Sequence, residues 1–199
     1  SADLNPSLHY TGFVAAAPPL PHPEKAGMGE VIVSAGGGNV GAKLFKVAIE
    51  AAAFDPNRVW RILVGGAQAQ SQIEKLGETA PSNVHIEPAR SDFRQMLNHA
   101  DVSVSMCGYN TALDVLQTGV SAVFVPFDAG GEVEQLLRAA ALSKQPNITV
   151  LKDAELGPKS LITAVHKSEL SRTTHKTTSR FDGTTNTVNI VESMLSERA

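Results

Sequence analysis

Six short apolar runs alternate with helix-length stretches along most of this chain, and that alternation limits the folds open to it. The runs are Glu30–Ser34, Val59–Val64, Val84–Ile86, Asp101–Met106, Ser121–Phe127 and Ile148–Leu151. Most are apolar on both faces, as buried parallel strands are. Between them lie helical stretches at Ala42–Phe54, Gln70–Glu78, Ser91–Ala100, Thr111–Thr118 and Val133–Ser143. The first carries Leu44, Val47, Ala48 and Ala51 on one face. Ser91 or Asp92 is placed to cap the third. Two more helices are read at Lys159–Lys167 and, after Asp182-Gly183, at about 185–196. Strand-helix alternation implies right-handed crossovers and a parallel sheet with helices on both faces. The expected fold class is therefore α/β: a three-layer, Rossmann-like parallel sheet of about six strands. No solenoid-type repeat is visible.

A chain of 199 residues fits one large domain, and 42% apolar residues supply a full core. The net charge of −3 and the lack of a long basic stretch argue against nucleic acid as the main partner. Cys107 is the only cysteine, so no disulfide or cysteine-based metal site forms within the chain, in keeping with a reducing cytoplasm. No apolar run approaches the roughly 20 residues of a membrane span. The first residue is Ser1, no signal-peptide pattern follows, and a longer parent is expected. Residues 1–29, with five prolines from Pro6 to Pro23, read as irregular chain or an interdomain linker. The domain proper is expected over 30–199. Residues 168–180, rich in Ser, Thr and basic groups, read as a loop.

The stretch Ser105-Met106-Cys107-Gly108-Tyr109-Asn110-Thr111-Ala112-Leu113-Asp114 stands out. It joins the carboxyl end of a strand to the amino end of a helix. Open α/β sheets bind phosphorylated ligands at such turns, where free N–H groups and a partial positive charge collect. Asn110 or Thr111 is placed to cap the helix. Asp114 lies about one turn in, within reach of a sugar hydroxyl. The plainer alternatives are simple capping and a solvated helix carboxylate.

Three other turns invite attention. Gly36-Gly37-Gly38-Asn39-Val40-Gly41 contains G-x-G-x-x-G between a strand and a helix, the context of a dinucleotide fingerprint. The acidic residue that fingerprint wants is absent, because the second strand ends in Val64-Gly65-Gly66-Ala67-Gln68. A tight packed turn or a glycine-lined surface on a cleft are the other readings. In Phe127-Asp128-Ala129-Gly130-Gly131-Glu132-Val133-Glu134-Gln135, the glycines permit close approach of a ligand to backbone. Glu134 and Arg138, four apart, are spaced to pair, and Gln135 can bond a hydroxyl or water. His85 and Glu87 share one strand face but lack a third metal ligand. His99 is expected at a helix end. Cys107 has no evident histidine partner and is not read as a nucleophile. Arg172, Lys176 and Arg180 read as a solvated loop in preference to a phosphate site.

These pieces, in this order, resemble the C-terminal half of a GT-B glycosyltransferase, specifically the family 28 C-terminal domain. The likeness is to the MurG-like enzymes and the bacterial "predicted glycosyltransferase" group related to them. It rests on Val33–Gly38, Ser105–Asp114, Gly119–Phe127 and Gly131–Ala139, and covers residues 30–150. The resemblance implies a hexosyltransferase whose nucleotide-sugar donor, with a UDP-sugar favoured, is bound in this half. Gly108, Asn110 and Thr111 would face the diphosphate, with Tyr109 among the donor-binding residues. Asp114 would take the place of the family's ribose-binding Glu. Gln135, with Glu134 beside it, would reach sugar or ribose, Gly37 and Gly38 would line the cleft toward the other half, and Gly66, Gly130 and Gly131 would belong to the donor-binding set. Asp in place of Glu at 114, and Arg138 in place of an Asn, leave the sugar open.

The family implies that an N-terminal half binds the acceptor and supplies the general base. That half is missing here, so this chain alone is expected to bind donor without transferring it. The final helix is expected to cross back to it. No resident cofactor or metal is expected, the nucleotide-sugar being a substrate. The parent is expected in the cytoplasm, at the inner face of the membrane if its acceptor is lipid-borne. The alternatives are a GT-B nucleotide-sugar hydrolase or 2-epimerase, a non-catalytic nucleotide-sugar-binding subunit, and a nicotinamide-dependent dehydrogenase.

Overall fold

The computed structural model describes residues 8–35, 41–127, 133–171 and 181–196. They fall into two compact units, one of residues 18–175 and one joining 1–17 to 176–199. The larger unit holds six strands: β1 (Val31–Ser34), β2 (Trp60–Val64), β3 (Val84–Pro88), β4 (Val102–Ser105), β5 (Ser121–Phe124) and β6 (Ile148–Val150). All pair in parallel, in the order β3-β2-β1-β4-β5-β6. The expected Rossmann-like sheet of six parallel strands is the one observed. The strand order reverses between β1 and β4, whose last paired residues are Ser34 and Ser105. Such a reversal opens a crevice at the carboxyl ends of the two strands, the usual ligand position in these folds.

Among the described residues of this unit, six α-helices form: α1 (Ala42–Ala52), α2 (Ala69–Gly77), α3 (Phe93–Met96), α4 (Tyr109–Thr118), α5 (Glu134–Leu142) and α6 (Pro158–Leu170). Alternate strand residues point to opposite faces. On one face Val31, Val33, Ile62, Val102, Val104 and Val123 pack with Leu44, Phe45 and Ala48 of α1 and Leu161 and Val165 of α6 in one buried cluster. Trp60, the single tryptophan, is fully buried in it. Right-handed crossovers that run outward in the opposite direction put α4 and α5 on the other face. Leu113, Val115 and Leu116 are the buried residues that pin α4 down.

Several boundaries differ from the expected ones. The helix expected over Ser91–Ala100 is cut to α3, and Asp92, its N-cap, makes no side-chain cap bond. The Asp92 carboxylate is taken instead by Arg90 and by His22 at 3.0 Å. Downstream, Asn98 donates to the carbonyls of Pro19 and Leu20, and a His99 ring nitrogen meets the His22 carbonyl at 3.1 Å. Residues that would have continued the helix thus hold the 18–29 segment against the sheet. β5 stops at Phe124, because Pro126 has no N–H for a ladder. β3 runs on to Pro88, which an edge strand tolerates. α6 continues to Leu170, so 168–170 are helical where a loop was expected. Residues 172–180, including Arg172, Lys176 and Arg180, lie outside the described residues.

Ion pairs lace the outer strands. Arg61 of β2 donates to both oxygens of Glu30, at 2.6 and 2.7 Å, and to Glu87 of β3 at 2.8 Å. Arg90 carries the chain of charges on to Asp92. This raises the Arg61 guanidinium pKa well above its usual value, chiefly through the Glu30 hydrogen bonds.

In the smaller unit, α7 (Gly183–Ser196) meets the extended segment before residue 18. The Gly183 N–H donates to the Phe13 carbonyl at 3.1 Å, and Asn186 Nδ2 to the Thr11 carbonyl at 2.8 Å. The rings of Phe13 and Phe181 lie 6.1 Å apart.

Candidate functional site

The start of α4 lies at the reversal of strand order, straight after β4. Gly108 is its N-cap, in an extended conformation, with Tyr109, Asn110 and Thr111 as the first three helical residues. The helix thus begins earlier than expected. Asn110 and Thr111 do not cap it, and no side chain does. A Cβ at Gly108 would meet nothing within 4 Å, so the approach to this turn is open. An uncapped helix start carries N–H groups and about half a positive charge. At its far end, Gly119 adopts φ +68°, a left-handed cap that returns its N–H to Val115 and sends the chain into β5.

Arg138 of α5 reaches back to this turn. Its guanidinium donates to the Cys107 carbonyl at 2.7 Å and lies 5.6 Å from the centre of the Tyr109 ring. It also pairs with Glu134, the i,i+4 contact expected from the spacing. Tyr109 is exposed, whereas the Arg138 side chain is largely covered. Cys107 beneath is fully buried, and burial pushes its thiol up to about 11. That agrees with its exclusion as a nucleophile.

Asp114 is not a solvated carboxylate. Its side chain is only 14% exposed, and Arg94 of α3 donates to it through Nε at 2.5 Å. A second Arg94 nitrogen donates to Gln117 Oε1 at 2.7 Å. Burial raises the pKa of the Asp114 carboxyl, and Arg94 works against that rise. Gln135 Oε1 accepts the Phe127 N–H at 3.1 Å, which ties the first turn of α5 to the end of the β5 segment. Gly66, at φ +94°, turns the chain after β2, two strands from β4 on the same rim. Gly37, Gly38, Gly130 and Gly131 lie outside the described residues.

The structure therefore brings Gly108, Tyr109, Asn110, Thr111, Asp114, Glu134 and Gln135 to one end of the sheet, and adds Arg94 and Arg138. Sequence reasoning treated Arg138 as a pairing partner and passed over Arg94. Four-residue spacing announced the Glu134 pair, but no local signal links Arg94 to Asp114 or Arg138 to Cys107. Among the described residues no group of three or more His, Cys, Asp or Glu is set to hold a metal. Glu87 is spent on Arg61 and Arg90. A groove of about 1250 Å³ beside α1, α2 and the start of α6 contains none of the site residues. No helix among the described residues is long and apolar enough to cross a membrane.

Comparison with known proteins gives this rim a context. Residues 32–194 match the glycosyltransferase family 28 C-terminal domain. The chain is 28% identical over 134 residues to a UDP-N-acetylglucosamine--N-acetylmuramyl-(pentapeptide) pyrophosphoryl-undecaprenol N-acetylglucosamine transferase of Agrobacterium fabrum, covering 63% of this chain and 34% of that protein. It is 24% identical over 161 residues to the protein of the same name from Clostridium kluyveri, covering 78% and 45%. It thus spans less than half the length of these curated relatives. Among solved structures, MurG of Acinetobacter baumannii superposes with a TM-score of 0.63 at 19% identity, over 89% of this chain and 54% of that one. The calicheamicin glycosyltransferase CalG4 gives 0.59 at 22%, over 91% and 42%. These likenesses establish a shared fold, and the family match extends over most of the sequence. The chain belongs to glycosyltransferase family 28, whose C-terminal domain it carries.

Proposed function

We propose that this chain is the donor-binding half of a nucleotide-sugar-dependent hexosyltransferase. The observation that carries the reading is the side-chain-uncapped start of α4 at the point where strand order reverses, within a matched family 28 domain. The donor diphosphate sits at Gly108–Thr111, where the helix start favours anions. Arg138 lies beside it, held by the Cys107 carbonyl and paired with Glu134. Asp114 takes the ribose hydroxyls. Gly66 lines the cleft, with Glu134 and Gln135 toward the sugar. A UDP-sugar is favoured because the relatives' names specify UDP-N-acetylglucosamine.

In the reaction, an acceptor hydroxyl attacks the anomeric carbon and the bond to the diphosphate oxygen breaks. The helix start and Arg138 stabilise the charge that builds on the departing diphosphate. The acceptor and the base that takes its proton come from outside this chain, from a second domain of the parent protein. No resident cofactor enters the reaction. The parent works in the cytoplasm, against the membrane where its acceptor is lipid-borne.

Calorimetric titration with UDP, GDP, TDP, ADP and NAD tests the reading. One nucleoside diphosphate is expected to bind saturably. Asp114→Ala should weaken it about tenfold or more, the worth of a hydrogen bond to a charged group. Binding of NAD in preference to every diphosphate, or of nothing at all, sinks the donor-site reading.

A further inference from the structure

Asp114 is held by a neighbour from another helix, and that arrangement bears on how it meets a ligand. Arg94 belongs to α3, anchored by its last residue Met96 and its C-cap Leu97, which are fully or almost fully buried. From there Arg94 spans to α4 and binds Asp114 and Gln117 together, at 2.5 and 2.7 Å. Asn110 lies one turn before Asp114 on the same face of α4. A carboxylate only 14% exposed is costly to keep ionised without a partner. Asp is also one methylene shorter than Glu, so its reach depends more on the rotamer it is held in.

We infer that Arg94 is a positioning residue for the donor: it keeps the Asp114 carboxylate ionised and fixed on the Asn110 face of α4, and so sets recognition of the ribose hydroxyls. The inference rests on the donor-site reading above. Among the described residues, Arg94 is the charged group set against Asp114, and Gln117 and Thr118 are the polar groups nearest it on its own helix. Arg94 opposes the rise in Asp114 proton affinity that burial causes, so its removal lets that rise go further. Ribose binding that needs the ionised carboxylate is lost as the pH falls and Asp114 takes up its proton. Without Arg94 the loss must begin at higher pH.

The 199-residue chain and its Asp114→Ala, Arg94→Gln and Arg94→Lys variants are titrated with UDP, 2′-deoxy-UDP and 3′-deoxy-UDP between pH 5 and 8. GDP and its deoxy forms replace them if UDP gives no heat. The unaltered chain should prefer the ribose form over at least one deoxy form by about tenfold. Asp114→Ala should erase the preference. Arg94→Gln should shrink it several-fold and move the acid loss of affinity upward, with Arg94→Lys between the two. Arg94→Lys also carries the measurement if Arg94→Gln does not fold.

If Arg94→Gln or Arg94→Lys keeps the full preference and an unshifted profile while Asp114→Ala loses it, the ion pair only stabilises the fold and the inference is wrong. If the unaltered chain binds ribose and deoxy forms alike, the ribose role of Asp114 falls, and the inference with it, while the diphosphate site stands. If no diphosphate binds, the donor-site reading itself fails.

Discussion

At the residue scale, burial and partners decide which groups do chemistry. Cys107 stands two residues before Tyr109, beside the proposed site, yet its thiol is fully buried and its pKa is pushed up to about 11. Iodoacetamide at pH 7.5 should leave the native chain unmodified and label it once in denaturant; mass spectrometry reads both states. Rapid native labelling would mean that the β4–α4 turn opens. Asp92 shows the reverse shift. Arg90 above all, and then His22, hold its carboxyl well below the usual carboxylate range. Such a group stabilises the fold above the unfolded carboxylate value of about 4, and the contribution drains away as pH falls below it. Asp92→Asn should therefore cost about 1 kcal/mol at neutral pH, as a partly exposed ion pair does, and flatten the acid limb of a stability-against-pH curve. An unchanged limb would show that the pair contributes nothing.

At the element scale, packing at helix starts is tighter than the glycine pattern alone conveys. Gly41 is the N-cap of α1, and an added Cβ there would fall 2.1 Å from the Ala35 Cβ and 3.2 Å from the Phe45 ring. The third glycine of G-x-G-x-x-G is thus required by helix-strand packing, whatever the turn between them binds. Gly41→Ala should cost about 1–3 kcal/mol, the usual effect of overpacking. Thermal unfolding followed by Trp60 fluorescence measures it. Adding Ala35→Gly should recover part of the loss, because the Ala35 Cβ is the atom struck first. No recovery would place the strain elsewhere. The same scale explains why the third helix stops short of its apolar run. Its apolar residues extend to Ala100, but Asn98 and His99 are committed to the 18–29 segment.

At the scale of the whole molecule, the two compact units are each held by their own contacts. In the smaller one, Gly183 lets α7 approach the extended segment: a Cβ there would lie 2.7 Å from the Phe13 backbone. Gly183→Val should prise the helix start from Phe13 and break the Gly183 N–H bond to its carbonyl. Hydrogen exchange should then rise several-fold at the first amides of α7, Asn186 included, and chymotrypsin should cut after Tyr10 or Phe13 sooner. Unchanged exchange and cutting would mean that the Asn186 bond to Thr11 and the Phe13–Phe181 contact hold the unit without this close approach.

Strand number, parallel sense and the apolar strands of the core are legible in the amino-acid sequence, because these follow from apolar periodicity and turn residues within a few positions of each other. The Gly108–Asp114 turn is legible there too, since a strand-glycine-helix junction is a local pattern. Tertiary packing set β4 beside β1, which turns a strand-to-helix junction into the edge of a crevice. It alone joined Arg94 to Asp114 across 20 residues and Arg138 to Cys107 across 31. An arginine's partner is chosen by whatever the crossovers bring within about 3 Å of it. Residue type and spacing carry no record of contacts made between separate helices.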